Sequence, residues 1–399
     1  MGGLWDRGGP MEGRLRRLRD YEPRMIDFLR RLIMTPSPSG CEGAVAELIV
    51  EEMELLGYDA TVDEMGNVIG RIGEGERTIL FDGHMDHVSE GSPEGWSHRP
   101  YGAEMDGDMI YGRGAVDMKG SLASMIYGCA ASEPSGRVVV ACVVHEETNE
   151  GVALREIIES RIPRPDACII GEPTDLRLSI GQRGRAVFRI ATRGLTSHAS
   201  MPELGINSIY RMVPVIERLR EASERLPRDP LLGASSLAVT GIRSRPEGPV
   251  VPDLCEILVD RRLIPQEGLE EVLRGLRELA PEAEVELMVD EITCYTGLRR
   301  SVQQYFPGWL TRPDSGLVAL CLEALEASLG YRPETSVWRF STDGVATAGT
   351  LGIPTVGFGP GDPTLAHRPD ERISITDVKA AARGFCALSS TLTGGPPLS

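Results

Sequence analysis

Three short segments of this chain are apolar at nearly every position, and they constrain the fold more than any other feature of the sequence. They are TILFD at 78–82, RVVVACVV at 137–144 and ACII at 167–170. A strand that is apolar on both faces is typical of a sheet covered by helices on both sides. Helical spacing of apolar residues appears between the segments, as at 117–131. The sequence therefore predicts an α/β sheet with helices on both faces.

The pattern changes near Gly181. Beyond it the sequence predicts strands and helices in the order βαββαβ, at 185–193, 205–224, 236–243, 254–262, 266–278 and 283–289. This order is the split-βαβ arrangement of ferredoxin-like domains. After 298 the α/β character returns, with a helix at 314–329, a buried strand at 353–358 and a closing helix at 376–390. We therefore expect one larger discontinuous domain, 1–181 and 298–399, that carries an inserted ferredoxin-like domain, 182–297.

Charge and composition exclude several classes of protein. The formal net charge of −17 argues against nucleic-acid and anionic-membrane partners, which attract clustered Lys and Arg. No apolar run approaches the roughly 18 residues of a transmembrane helix, and the N-terminal segment lacks the apolar core of a secretory signal. The eight cysteines are scattered without C-x-x-C pairing, which favours free buried thiols. We expect a cytoplasmic protein whose negative field suits metal cations.

The first predicted strand ends in the pair His84-x-Asp86, within ILFDGHMDHVSEG. Ligands gather at strand ends in α/β sheets. The spacing puts both side chains on one side of an extended chain, so the carboxylate can orient a metal-bound imidazole. An ordinary hydrogen-bonded polar pair is the alternative interpretation.

A glycine-rich turn, at 112–114, precedes Asp117 at the start of a predicted helix. An Asp at that place commonly caps the helix or complements its dipole. It can also bridge two cations. The glycines favour the second interpretation, because they let the backbone approach another group closely.

The adjacent carboxylates Glu146 and Glu147 are the sharpest anomaly in the sequence, because a buried strand runs directly into them. Like charges at the end of an apolar strand repel and are costly to desolvate unless a cation or a shared proton compensates them. Neighbours in an extended segment point opposite ways, so one can ligate a metal while the other serves as a general base.

Two further polar residues follow apolar strands: Glu172 in ACIIGEPT and His367 in IPTVGFGPGDPTLAHRPDE. With the residues above they form a set of nitrogen and oxygen donors suited to zinc and similar ions, namely His84, Asp117, Glu147, Glu172 and His367. One bridging Asp, with one His and one carboxylate on each metal, describes a two-metal hydrolytic site. We expect two divalent ions, zinc first, with cobalt or manganese as alternatives.

These motifs together resemble a known superfamily, the di-zinc peptidases and deacylases, which includes aminoacylase, carboxypeptidase G-type enzymes, acetylornithine deacetylase and succinyl-diaminopimelate desuccinylase. The resemblance runs from about residue 25 to about residue 390. It rests on segments that occur in the family's order: GHMD, GRGAVDMKG, HEETNEG, GEPT, TSHASMPELGINSI, VDRRLIP and AHRPDE. Within the superfamily, CYTGLRRSVQQYFPGW, WRFSTDG and GFGPGDPTLAHRPDE look most like the YgeY-like hydrolase subgroup.

The resemblance implies a metal-dependent hydrolase with a role for each matching residue. Asp117 would bridge the metals, with His84 and Glu172 on one and Glu147 and His367 on the other. Asp86 would orient His84. Glu146 would be the general base that takes a proton from the attacking water and returns it to the leaving amine.

The resemblance also implies that the inserted domain is a lid and the interface of a homodimer. His198, in TSHAS, would reach the partner subunit's site and stabilise an oxyanion. Arg262, in VDRRLIP, would hold a substrate carboxylate. Asn207 either contacts substrate or caps a helix. The chain departs from the family where EGPVVPD places Pro249 near a position at which relatives often carry Asn.

Several functions remain open at this level. The first is hydrolysis of the amide bond in a small N-acyl or N-carbamoyl amino acid, as in a deacetylase or desuccinylase. A dipeptidase, aminopeptidase or carboxypeptidase uses the same site. A non-catalytic metal-dependent binding protein is the alternative from another class, whereas ligation by oxygen without Cys argues against a redox metalloprotein.

Overall fold

The computed structural model describes residues 10–395, so the first nine residues of the N-terminal segment considered above lie outside it. The helices are α1 Pro10–Met34, α2 Gly43–Leu55, α3 Gly120–Ala131, α4 Val152–Ser160, α5 Ser208–Ser223, α6 Leu269–Leu279, α7 Gly316–Leu329 and α8 Ile375–Gly394. The strands are β1 Asp59–Val62, β2 Val68–Ile72, β3 Thr78–His84, β4 Glu104–Asp106, β5 Met109–Tyr111, β6 Arg137–Val143, β7 Ala167–Ile170, β8 Leu178–Gln182, β9 Gly184–Arg193, β10 Ser197–His198, β11 Arg228–Asp229, β12 Gly233–Ala234, β13 Ser236–Arg245, β14 Val250–Val251, β15 Leu254–Leu263, β16 Glu284–Leu287, β17 Val289–Thr293, β18 Arg299–Gln303, β19 Tyr305–Phe306, β20 Trp309–Leu310, β21 Thr335–Trp338, β22 Thr355–Gly357 and β23 Arg372–Ser374.

The larger domain is built on a mixed sheet of nine strands in the order β1-β2-β6-β3-β7-β22-β8-β20, with β21 beside β8. Its centre is parallel, since β3 pairs in parallel with β6 on one side and with β7 on the other. Every residue of β3 and of β7 is buried, as the apolar runs in the sequence predict. The helices α1, α3, α7 and α8 pack against one another, and α3 and α8 contact the central strands.

The smaller domain has its own sheet and its own core. The strands β13, β15, β9 and β16 lie side by side in that order, all antiparallel. Helices α5 and α6 pack on one face of this sheet and enclose a separate cluster of buried residues that includes Phe188, Val215 and Ile257. The chain order is the βαββαβ order predicted above. The α/β fold class is confirmed; the boundaries at 181/182 and 297/298 stay predictions.

Two chain crossings join the domains, and they lie side by side. Outgoing residues of β8 and β9 pair antiparallel with returning residues of β20 and β19, so that Gln182 faces Trp309 and Arg185 faces Phe306. Glycine is required where the crossings touch, because a Cβ on Gly184 would lie 2.3 Å from the backbone N of Gly308. The crossings therefore form a two-stranded ribbon.

The structure also holds elements that the sequence pattern did not predict. Helix α4 follows the two adjacent carboxylates, and the hairpin of β17 and β18 reaches from the smaller domain back to the larger one. In the turn of this hairpin, Tyr295 donates a hydrogen bond from its hydroxyl to the Gly66 carbonyl at 3.1 Å. Among residues 10–395, no helix is both long and apolar enough to cross a lipid bilayer.

Candidate metal centre

The candidate site lies at one edge of the large sheet, where three neighbouring parallel strands end. β3 ends at His84, β6 is followed by Glu146 and Glu147, and β7 is followed by Glu172. The carboxyl ends of parallel strands meet at the same edge of a sheet, which is where ligands bind in open α/β folds. Strand order therefore brings together residues that are 88 positions apart in the chain, His84 and Glu172.

Asp117 lies between the two histidines, with one carboxylate oxygen toward each. Its Oδ1 is 3.0 Å from His84 Nε2, and its Oδ2 is 3.2 Å from His367 Nε2. The same His84 nitrogen is 3.4 Å from Glu172, and the same His367 nitrogen is 3.0 Å from Glu147. The structure therefore divides the five residues into two groups that share Asp117, and their roles as ligands of a bridged pair of metals stay predictions.

The turn that presents Asp117 is held by a buried ion pair. Glu371 accepts hydrogen bonds from the backbone N–H groups of Val116 and Asp117 at 2.9 and 3.1 Å, and its other oxygen accepts from Arg113 at 2.6 Å. Arg113 and Glu371 are both almost fully buried. Lys119, also buried, donates to two backbone carbonyls at the end of α1. These contacts fix the backbone on both sides of the bridging carboxylate.

Burial and mutual repulsion raise the pKa of the carboxyl groups in the cluster. Burial raises the pKa of Glu172 to about 8, and the nearby charge of Asp117 adds to the rise. Burial also raises the pKa of Glu146 well above its usual range. Hydrogen bonds with Asp117 and Glu147 raise the pKa of His367 to about 10. The cluster therefore concentrates more negative charge than its protein surroundings stabilise.

The residues present fit a pair of divalent cations. Glu146 Oε1 and Glu172 Oε2 are buried without a hydrogen-bond partner among the described residues. Ligand atoms of His84, Asp117 and Glu147 lie within 4.8 Å of one another, and so do ligand atoms of His84, Glu146 and Glu172. Imidazole nitrogen mixed with carboxylate oxygen suits zinc and related ions. Because the second group contains Glu146 as well as Glu172, the separation of base from ligand stays a prediction.

Asp86 contacts His84, but through a different atom from the one expected. The His84 Nδ1 hydrogen bonds with the Asp86 backbone carbonyl at 2.9 Å, whereas the nearest carboxylate oxygen is 3.6 Å away. Because Nδ1 makes this bond, Nε2 is the ring nitrogen that faces Asp117 and Glu172 and could bind a metal. The Asp86 carboxylate instead accepts from the backbone N–H groups of Glu146 and Glu147.

The three residues expected in the smaller domain do not join the cluster within the described part of this chain. His198 is exposed, and its Nδ1 lies 2.6 Å from Ser200 Oγ. Arg262 forms an ion pair with Asp260 at 2.9 Å. Asn207 caps α5 by accepting from the Ile209 N–H at 2.9 Å. Their roles in substrate binding and oxyanion stabilisation stay predictions.

Sequence reasoning missed the residues that surround the ligands. Glu371 is one, although the AHRPDE segment that contains it was noted for its His. Asp343 and Asp82 are others: both are buried behind the cluster, and the Asp343 carboxylate accepts from the Gly151 N–H. The available signal was a charged residue next to an apolar strand, as in ILFDGH, or inside a glycine-rich segment, as in STDGVA.

Comparisons with known proteins find relatives that match most of the chain. The model of Peptidase family M20/M25/M40 matches residues 80–391. The uncharacterised protein YgeY of Escherichia coli strain K12 is 36% identical over 386 residues, which cover 94% of this chain and 96% of YgeY. A succinyl-diaminopimelate desuccinylase of Cereibacter sphaeroides strain KD131 is 30% identical over 369 residues, covering 87% of this chain and 93% of the enzyme. The solved structure of the Bacillus subtilis YXEP protein, described as a dinuclear metal-binding peptidase, superposes with a TM-score of 0.68 at 17% identity, covering 93% and 98% of the two chains.

Proposed function

This chain belongs to peptidase family M20/M25/M40 and is a metal-dependent hydrolase of that family, and from this premise we propose that it hydrolyses the amide bond of a small N-acyl or N-carbamoyl amino acid. The observation that carries the proposal is a buried Glu146 oxygen that has no hydrogen-bond partner among residues 10–395 and lies beside two His-carboxylate groups that share Asp117. A base next to a metal pair is what hydrolysis of an amide needs. The similarity to a desuccinylase over most of both chains supports deacylation.

The cofactors in this proposal are two divalent ions, zinc first and cobalt or manganese as alternatives. His84, Glu172, Glu147 and His367 would hold them, with Asp117 between. When bound, such ions polarise the scissile carbonyl and lower the pKa of a water toward about 7.

Glu146 carries the proton in this scheme. It accepts a proton from the attacking water and gives it to the departing amine, so the carboxylate is restored at the end of each cycle. Burial raises the pKa of this group, which suits a residue that must hold a proton between two steps. Its backbone is held in place, since the N–H of Glu146 donates to Asp86 at 3.1 Å.

Substrate recognition belongs to the smaller domain in this proposal. The Arg262 guanidinium would exchange its contact with Asp260 for the substrate carboxylate, and Asn207 would assist. His198 would stabilise the oxyanion in the partner subunit's site. The smaller domain exposes large apolar side chains, among them Leu204, Tyr210 and Ile242, and their burial against a second copy would support a homodimer through this domain.

A cytoplasmic location is also part of the proposal. All eight cysteines are free in the described residues, as expected in a reducing compartment. The reaction acts on a small molecule, and we expect neither a nucleic acid nor a membrane as partner.

Hydrolysis by metal-loaded and chelator-stripped protein across a panel of substrates tests the proposal. The panel contains N-acetyl, N-succinyl and N-carbamoyl amino acids together with dipeptides. We expect metal-dependent release of the amino acid from an acylated substrate. Faster hydrolysis of dipeptides would indicate a dipeptidase instead. If no substrate of the panel were hydrolysed at full metal occupancy, a metal-dependent binding protein would be favoured.

A further inference from the structure

Three consecutive backbone N–H groups beside the metal ligands point into two buried carboxylates. His145 donates to Glu42 Oε1 at 3.2 Å, Glu146 donates to Asp86 Oδ1 at 3.1 Å, and Glu147 donates to Asp86 Oδ2 at 3.2 Å. Asp86 belongs to the segment that carries His84. Glu42 has no part in the site described so far, and it lies 103 residues before His145 in the chain.

Glu42 is fully buried behind the turn of residues 145–147. Its Oε1 also accepts from the Gly40 N–H at 2.9 Å, whereas its Oε2 is buried without a partner among the described residues. A buried carboxylate is costly unless the bonds it receives compensate it. The hydrogen bonds from the His145 and Gly40 N–H groups therefore stabilise the buried Glu42 carboxylate.

The backbone conformation of this turn requires stabilising contacts from outside the turn. His145 has a φ of +58°, a left-handed conformation that a residue with a Cβ rarely adopts. Such conformations persist only where the surroundings fix them. The other side of the residue is held by the hairpin of β17 and β18, since His145 Nε2 lies 3.2 Å from the Thr293 carbonyl oxygen. The turn directs Glu146 and Glu147 toward the two histidines.

The segment that supplies Glu42 also braces the second carboxylate. Ser39 donates from its hydroxyl to Asp86 Oδ2 at 2.6 Å. Between them, Gly40 has a φ of +85°, and a Cβ there would lie 3.1 Å from the Thr293 carbonyl oxygen. The loop 37–42, the hairpin and the turn thus meet at one point.

We propose that Glu42 is a positioning residue for the general base: by accepting from the His145 N–H, it fixes the turn that aims the Glu146 carboxylate. Ser39 acts in the same way through Asp86. The inference rests on the proposed function in one respect, the role of Glu146 as the base. The hydrogen bonds that fix the turn do not depend on that role.

Two substitutions at Glu42 and one matched control test this role. Glu42→Ala removes the acceptor, while Glu42→Gln retains an oxygen that can accept from the same N–H. Asp229→Ala is the control, because Asp229 is a buried carboxylate in the smaller domain that accepts from the N–H groups of Leu231 and Leu232 at 2.8 and 2.9 Å. It therefore loses equivalent bonds away from the site.

Hydrogen–deuterium exchange on metal-free protein gives the direct readout. We expect faster exchange at the amides of 145–147 in Glu42→Ala than in wild type, Glu42→Gln or the control. In metal-loaded protein, kcat of Glu42→Ala should fall about 10- to 100-fold, as for other residues that orient a metal site, with KM nearly unchanged. Glu42→Gln should recover most of this loss.

Unchanged exchange and unchanged kcat in Glu42→Ala would overturn the proposal. A fall in kcat equal to that of Asp229→Ala would do the same, since it would show a general loss of stability. If Glu42→Ala does not fold, Ser39→Ala gives the same comparison through Asp86. Failure of the proposed function is distinguishable: an active Glu146→Gln enzyme would remove the base assignment and leave the exchange result standing.

Discussion

Replacing Glu146 and Glu147 by Gln, in separate variants, distinguishes a proton carrier from a metal ligand. The two residues are adjacent, both follow β6, and both have backbone N–H groups bonded to Asp86. Each substitution removes one charge and preserves the shape of the side chain. The comparison is informative because the positions of the ligand atoms allow either residue to be grouped with His84.

The expected magnitudes differ between the two variants. General acid–base catalysis contributes about 10²- to 10⁴-fold, so kcat of Glu146→Gln should fall by that factor, or about 3–5 kcal/mol in the activation barrier. Metal binding should remain, because the five proposed ligands are unchanged in this variant and His367 is still bonded to Glu147. In Glu147→Gln, the ion beside His367 should bind more weakly and activity should return with added metal.

Metal content after desalting, chelator competition and steady-state kinetics measure these effects on the same preparations. Thermal unfolding serves as the control for folding, and Glu146→Gln should not lower the Tm of metal-free protein, since burial raises the pKa of this carboxyl group well above its usual range and Gln is neutral. If Glu146→Gln lost an ion while Glu147→Gln kept both and lost only kcat, the two roles would be reversed. A wild-type kcat in Glu146→Gln would refute the assignment of Glu146 as the general base.

Three further predictions concern pH, the partner subunit and packing. In chelator-stripped protein, the Glu172 pKa is about 8 when folded against 4.5 in the unfolded chain, so its contribution to stability is full below pH 4.5 and lost as pH rises through 8. The Tm of wild type relative to Glu172→Gln should fall over that window; identical pH profiles would contradict this. Mixing subunits of His198→Ala with the inactive base variant should restore activity that neither has alone, and no recovery would exclude a role across the dimer. Gly66→Ala should destabilise by about 1–3 kcal/mol, because its Cβ would lie 2.2 Å from the Tyr295 ring. Gly57→Ala, at a similar φ with nothing within 4 Å, is its control, and equal Tm losses would mean that the ring contact is not responsible.

Much of the fold follows from hydrophobic pattern. The strands at the centre of the large sheet were predictable because they are apolar on both faces, and the smaller domain because its alternation of strands and helices is regular. The gathering of His84, Asp117, Glu147, Glu172 and His367 was predictable for the same reason: each follows a strand or a turn, and parallel strands end at one edge.

The residues that hold the backbone around the proposed ligands could not be predicted from hydrophobic pattern. Glu371 bonds to the Asp117 N–H across 254 residues of sequence, and Glu42 bonds to the His145 N–H across 103. Backbone N–H groups carry no sequence signal, so a side chain that binds them leaves no local pattern. The sequence also did not predict that Asp86 binds His84 through its backbone carbonyl. The spacing of two residues does not show whether a backbone carbonyl or a side-chain carboxylate makes the contact.

The paired crossings at Gly184 and Gly308 bear on how such a chain is assembled. Because the two ends of the intervening segment meet, the smaller domain occupies the place of a single tight turn between β8 and β20. A segment of this kind can be exchanged for another in one recombination event without changing strand order in the sheet. The proposed metal ligands lie outside that stretch, so under the proposed function substrate specificity and dimer contacts can change while the metal centre stays the same.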